Sequence, residues 1–256
     1  MRESLAAAIA FFEADRLRYI VQLKYIHLYG EQVRTMCVDG GVLLTLPTRA
    51  TLWDVREYPN FELMLLPAAL DTESAATLVN VVRENFAPGV VFKFCEPVAK
   101  AAFRAAFDLK PTRTLYTYTL SPGAALPETS AVMVSTQLDD ACMDLYAANG
   151  YSREKMGSLF AGDALAFTIY DDGAAVSGCF AYQNFDNIWE VAGVRTLEAA
   201  RRKGYGRLVV AAALRTLHDK NLILRYQVES TNAASVQLAE ALGMTRYLEF
   251  EHYVWD

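Results

Sequence analysis

The chain has no apolar run approaching the roughly 20 residues that a membrane-spanning helix requires, so no membrane segment is expected. Cysteine is sparse: Cys37, Cys95, Cys142 and Cys179 lie far apart and form no C-x-x-C pair. His27, His218 and His252 are equally scattered. Neither set has zinc-ligand spacing, so no metal is expected, and the cysteines read as free thiols in a reducing, cytoplasmic compartment. Basic residues are also short, with 24 Lys and Arg against 30 Asp and Glu and a formal net charge of −6. That balance excludes a general nucleic-acid binder, which needs a net basic face, but says nothing about a local anion site. The phosphate loop G-x-x-x-x-G-K-[ST] and the dinucleotide fingerprint G-x-G-x-x-G are both missing.

What is present reads as a soluble α/β chain with material for one large or two modest domains. The opening M-R-E-S-L-A-A-A-I-A-F-F-E-A-D-R has a signal-like apolar stretch, but Glu3, Glu13 and Asp15 bracket it. An amphipathic first helix is the expectation. L-S-P-G-A-A-L-P-E-T-S (120–130) is a Pro/Gly/Ser-rich interruption and the natural linker. After it come a short strand at V-M-V-S, a helix ended by Gly150, and a second helix from Ser152 with capping-box spacing. A hairpin then turns at Asp172-Gly173, followed by the strand I-W-E-V-A-G-V-R-T. A basic loop, a helix to about Lys220, the strand L-I-L-R-Y-Q-V-E, a helix ending at Gly243 and a last strand close the chain.

The first half repeats that succession. M-C-V-D-G-G-V-L-L-T-L is a hairpin turning at Asp39-Gly40, F-E-L-M-L-L stands in the place of W-E-V-A-G-V, and V-V-F-K-F-C-E ends in Glu96 as the later strand ends in Glu229. Two copies of one unit are inferred, the first heavily diverged, with domains at 1–124 and 125–256. Each is expected to be a mostly antiparallel mixed sheet flanked by helices. From Phe61-Glu62 to Glu96 the first half is shorter than from Trp189-Glu190 to Glu229, and the missing piece is the basic, glycine-containing loop.

That loop, R-R-K-G-Y-G over 201–206, leads directly into an apolar helix. A helix start presents unpaired N–H groups and about half a positive charge, and glycines let the backbone approach a ligand closely. Together they make a cradle for a phosphate or pyrophosphate, with Arg201, Arg202, Lys203 and Arg207 as surrounding cations. The competing reading is a solvated basic turn that uses glycine for geometry alone.

Arg201-Arg202-Lys203-Gly204-Tyr205-Gly206 fits [QR]-x-x-G-x-[GA], and V-E-S-T-N-A-A-S-V-Q-L-A-E-A-L-G-M fits N-x-x-[AS]-x-x-L-x-x-x-L-G-[FM]. By these two motifs residues 130–256 resemble the GNAT superfamily of acyl-CoA-dependent N-acetyltransferases, and the whole chain looks like a tandem member with a degenerate N-terminal half. The resemblance implies acetyl-CoA, or another acyl-CoA, as cofactor. It implies that the amides of Arg202 to Gly206, with Arg207, hold the pyrophosphate. Val194, Arg195 and Thr196 would pair with the pantetheine arm where the sheet splays before 222–229. Asn232 and Ser235 would line the other side of that arm; both also sit where helix-capping residues belong.

Transfer to an amine needs a base, and the resemblance points to Glu190; it interrupts an apolar strand, as a cleft-facing or a solvent-facing glutamate would. Glu229 is the reserve. The tyrosine that many family members use as acid is replaced here by Ala239, leaving Tyr247, Tyr253 and Tyr226 as substitutes, with Tyr247 as the named candidate. The expected function is acetyl transfer to a primary amine of a small molecule by a monomer or homodimer. The alternative is a non-catalytic acyl-CoA sensor.

Overall fold

In the computed structural model, residues 2–121 and 123–256 are described; Met1 and Pro122, the latter inside the expected linker, lie outside the described residues. The chain divides into two compact units. The first comprises residues up to Tyr116 together with Tyr247–Asp256, and the second is Thr117–Arg246.

The first unit begins with helices α1 (Arg2–Glu13) and α2 (Ile20–Tyr29), then strands β1 (Arg34–Val38) and β2 (Gly41–Pro47). The short helix α3 (Leu52–Glu57), β3 (Leu63–Ala69), α4 (Thr72–Asn85), β4 (Val90–Phe94), α5 (Pro97–Ala106) and β5 (Lys110–Leu120) follow. Strands β1, β2 and β3 pair antiparallel, while β3 and β4 are parallel. Local chemistry sets the helix ends. Asp71 accepts the Ser74 amide at the start of α4, and Pro97 occupies the first turn of α5, where its missing N–H costs nothing. No element is expected from the sequence over 17–33 or 48–58. Helix α2 lacks a side-chain cap, and α3, though capped by Thr51 through the Asp54 amide, has only six residues and so no sustained apolar period.

The second unit runs β6 (Met133–Ser135), α6 (Asp140–Ala147), α7 (Arg153–Phe160), β7 (Leu165–Asp171), β8 (Ala174–Phe185) and β9 (Ile188–Thr196). Helix α8 (Tyr205–Asp219), β10 (Ile223–Glu229) and α9 (Ala233–Ala241) follow, and β11 (Met244–Trp255) completes the chain, its residues from Tyr247 onward belonging to the first unit. Strands β6 to β9 pair antiparallel in order, and β9 with β10 is parallel. The hairpin turn has Asp172 at φ 48° and Gly173 at φ 79°, the two positive angles of a type I′ turn. Ser152 does cap α7 by accepting the Lys155 amide, but the reciprocal half of a capping box is absent because that third position is a lysine. Helix α8 buries Val209–Leu214 and Leu217.

Both units therefore show the expected mixed α/β sheet, mostly antiparallel with one parallel pair. The compact units do not follow the expected 124/125 division, however. Glu251–Trp255 of β11 pairs with Val90–Phe94 of β4 in the first unit, and Tyr253 joins the aromatic core around Phe92, Phe94 and Phe103. Such pairing is set by partners some 160 positions away in the chain and leaves no local signal. No helix among the described residues is long and apolar enough to cross a membrane.

Candidate functional site

The site is built where β9 loses one of its neighbours. Four parallel rungs join β9 and β10, from Ile188 opposite Ile223 to Val191 opposite Tyr226. Beyond Val191 the two strands diverge, while β9 stays paired to β8 through Arg195 opposite Gly178 and Thr196 opposite Ser177. Ser177 adds two side-chain bonds to this edge, its hydroxyl lying 3.2 Å from the Arg195 carbonyl and 2.8 Å from Thr196 Oγ1. One edge of Val194–Thr196 is thus held, and the other has no partner strand among the described residues. This is the splay that the resemblance implied.

The divergence coincides with a bulge. The β8–β9 register slips between Gly178 and Phe180, which leaves an extra residue in β9 between Ala192 and Arg195. Gly193 takes φ +66° there, and a Cβ on it would lie 2.3 Å from the Phe180 ring. Glycine is demanded both by the backbone angle and by the ring.

Past Thr196 the chain makes a short 3-10 turn at Glu198–Ala200 and enters the basic loop. Arg202 sits at φ 62° and Gly204 at φ 80°, so the loop turns twice through the left-handed region before α8 starts at Tyr205. The first amide bonded within the helix is that of Leu208, to the Gly204 carbonyl at 3.1 Å, and no side chain caps the start. The amides of Tyr205, Gly206 and Arg207 precede that bond and point out of the helix end. A Cβ on Gly204 would meet nothing within 4 Å, so the space above it is open. Gly206 is different: it is already helical, and a Cβ there would come within 3.4 Å of Thr196 Oγ1, so its small size keeps the helix start against the end of β9. Arg201, Arg202, Lys203 and Arg207 are exposed around this opening. The arrangement fits an anionic phosphate group.

On the far side, Asn232 Oδ1 accepts the Ser235 amide at 3.2 Å and caps α9. The capping alternative for Asn232 is therefore real. Ser235 receives that cap through its backbone, and its hydroxyl lies against the phenol of Tyr226 in the last paired rung. Burial pushes that phenol up to about 12, the Ser235 contact working in the opposite direction, so Tyr226 keeps its proton at neutral pH.

Glu190 lies one rung before the divergence, directly opposite Arg225. The pair forms an ion pair with side chains only 13% and 5% exposed, respectively, and Asn184 donates to the same carboxylate oxygen, Oε2. Tyr182, across from Glu190 on β8, is held well above the ordinary phenol value by burial and then by the Glu190 charge. The solvent-facing alternative for Glu190 is excluded. Among the described residues Arg225 Nε and Asn184 Oδ1 are buried without hydrogen-bond partners, so this network is incompletely satisfied. Tyr151, between α6 and α7, stacks edge-on against Phe180 at 5.1 Å and feels the Glu190 charge. Arg225, Asn184, Tyr182 and Tyr151 were not singled out by the sequence; an arginine inside L-I-L-R-Y-Q-V-E was the one signal available.

Two sequence-level expectations change. Tyr247 is grouped with the first unit, where its hydroxyl donates to both oxygens of Asp15 at 2.6 Å and its ring lies 5.6 Å from the Arg18 guanidinium. Its phenol is pushed up to about 12, by burial first, and is committed to a structural bond rather than to the cradle. Tyr253 is likewise in the first unit and bonds Glu251. Ala239, at the usual acid position, is fully buried.

Residues 154–253 match the family model described as GNAT acetyltransferase. The fold is shared along the whole chain with a GNAT-family acetyltransferase from Colwellia psychrerythraea (TM-score 0.67, 12% identity, 100% of this chain and 97% of that one). It is shared also with GCN5-related N-acetyltransferases from Kribbella flavida (0.57, 17%, 93% and 95%) and Sphaerobacter thermophilus (0.57, 12%, 84% and 76%). No curated protein matches the sequence.

Proposed function

We propose that the second unit transfers an acyl group, acetyl in the simplest case, from an acyl-CoA to a primary amine of a small molecule. The observation that carries this reading is the coincidence of an unpaired strand edge, a glycine bulge and an uncapped helix start at one end of β9. The amides of Tyr205–Arg207, with Arg202, Lys203 and the loop amides around Gly204, hold the pyrophosphate. The open edge of Val194, Arg195 and Thr196 holds the arm, and Ser235 lines its other side. When bound, an acyl-CoA supplies a thioester carbonyl that accepts the amine nitrogen and releases the coenzyme thiol. Glu190 takes the proton of the incoming ammonium. Arg225 and Asn184 both engage Oε2, and Tyr182 also bonds the carboxylate, so these three side chains hold the group that takes that proton. Tyr226, at the divergence and against Ser235, replaces Tyr247 as the donor of a hydrogen bond to the leaving thiolate.

The first unit is read as a degenerate copy without a cofactor loop. Calorimetry with acetyl-CoA tests the first step, and the absence of heat at millimolar cofactor ends the reading. The buried methyl of Ala239 keeps a second reading in view, an acyl-CoA sensor that binds without transferring. Thiol release in the presence of a panel of small primary amines separates the two.

A further inference from the structure

The two units can be compared rung by rung at the point where their parallel strands separate. In the second unit the last rung is Val191–Tyr226, preceded by Glu190–Arg225. In the first unit the last rung is Leu65–Phe92, preceded by Met64–Val91. The faces correspond. Phe92 packs on Phe103 of α5 just as Tyr226 lies against Ser235 of α9, so Val91 and Arg225 occupy the opposite face in each. The chain order had suggested Glu62 as the counterpart of Glu190, but Glu62 precedes β3, and the rung places Met64 there.

Met64 and Val91 are fully buried, so an apolar pair closes this position without difficulty. A buried ion pair at the same place carries a desolvation cost that an apolar pair avoids. Nor is the second unit's network a complete polar solution, because Arg225 Nε and Asn184 Oδ1 have no partners among the described residues. Packing alone does not account for Glu190–Arg225.

We propose that Arg225 is a positioning residue for acyl transfer: it fixes the Glu190 carboxylate through Oε2 in the orientation that receives the amine proton. The inference rests on the function proposed above. In the step it serves, Glu190 first takes one proton from the ammonium; the N–C bond then forms as the C–S bond breaks, and the second proton lost by the nitrogen goes to the sulfur, so that the coenzyme leaves as its thiol. Arg225 itself touches neither reactant.

The first unit supplies the test. The double variant Glu190→Met/Arg225→Val installs its apolar rung, and Arg225→Gln and Arg225→Lys separate charge from shape. Acetyl-CoA binding is read by calorimetry, and transfer by thiol release from acetyl-CoA with a panel of small primary amines. The double variant is expected to bind acetyl-CoA as the wild type does and to lose transfer by about 100-fold or more, the range for removing a general base. Arg225→Gln is expected to lower kcat by about 10-fold at unchanged KM for acetyl-CoA, with Arg225→Lys recovering most of it. Wild-type transfer in the double variant or in Arg225→Gln overturns the proposal. So does a joint loss of affinity and kcat in Arg225→Gln that Arg225→Lys fails to rescue. If the double variant does not fold, the Gln and Lys pair decides. Wild-type protein that binds acetyl-CoA without transfer to any amine also overturns it, whereas no acetyl-CoA binding at all overturns the underlying function.

Discussion

Arg225 and Glu190 face one another on the rung just before β9 and β10 separate, joined as an almost fully buried ion pair. Their mutual dependence has a thermodynamic signature. Removing one partner strands an uncompensated buried charge, so Arg225→Met is expected to cost on the order of 3–5 kcal/mol in urea unfolding. Adding Glu190→Met to it should restore most of that loss. Additive losses in the double variant would show that the two side chains do not act as a pair.

Gly193 makes an equally sharp case. Alanine there meets the Phe180 ring at 2.3 Å and must hold φ +66°. Gly193→Ala should therefore destabilise the second unit by roughly 2–4 kcal/mol. Phe180→Leu on the same background should return part of it by making room, and thermal or urea unfolding of the three variants reads the result.

Gly204 should behave differently, because open space lies above it. Gly204→Ala is expected to cost only about 1 kcal/mol, the penalty of a left-handed alanine, and to retain acetyl-CoA. Gly204→Glu places a negative charge at the helix start and should weaken acetyl-CoA by about 10-fold or more. Equal affinities for the two variants would move the pyrophosphate elsewhere.

The tyrosines divide by unit. Tyr226→Phe copies the first unit's Phe92 and should leave stability close to wild type while lowering the transfer rate by about 10-fold. Tyr247→Phe removes a bond to Asp15, costing about 1–3 kcal/mol of stability because the acceptor is charged, without changing the rate per folded molecule. Rate measurements and unfolding on both variants would expose a reversal of these roles.

Glu96 ties stability to pH. Its carboxylate accepts the Ala69 amide at 2.7 Å, yet burial pushes its pKa from 4.5 up to about 7, with the opposing help of Ala69 and Arg18 smaller than that burial. The folded state then holds a proton that the unfolded state releases, so the contribution is complete below about 4.5 and is lost as pH rises to about 7. The loss amounts to at most about 3 kcal/mol. Glu96→Gln keeps an acceptor for Ala69 and has no such proton, so its stability should lack this slope and exceed wild type at pH 8. Parallel urea titrations between pH 4.5 and 8 check it.

How much of this was legible beforehand differs from element to element. Asp172-Gly173, the Ser152 cap and Arg201–Gly206 depend on neighbours a few positions away, so their chemistry could be read directly from the residues. Glu190 stood out as a lone carboxylate in an apolar strand. The sequence by itself thus determined the hairpins, the starts of helices such as α7 and the basic loop, all of which rest on local backbone angles and short-range hydrogen bonds. Only the tertiary structure decided that Arg225 is the partner of Glu190, that Gly193 is a bulge pressed on Phe180, and that Tyr247 serves Asp15. Those are consequences of strand register and sheet membership, which bring together residues far apart in the chain and leave no periodic trace within any one segment.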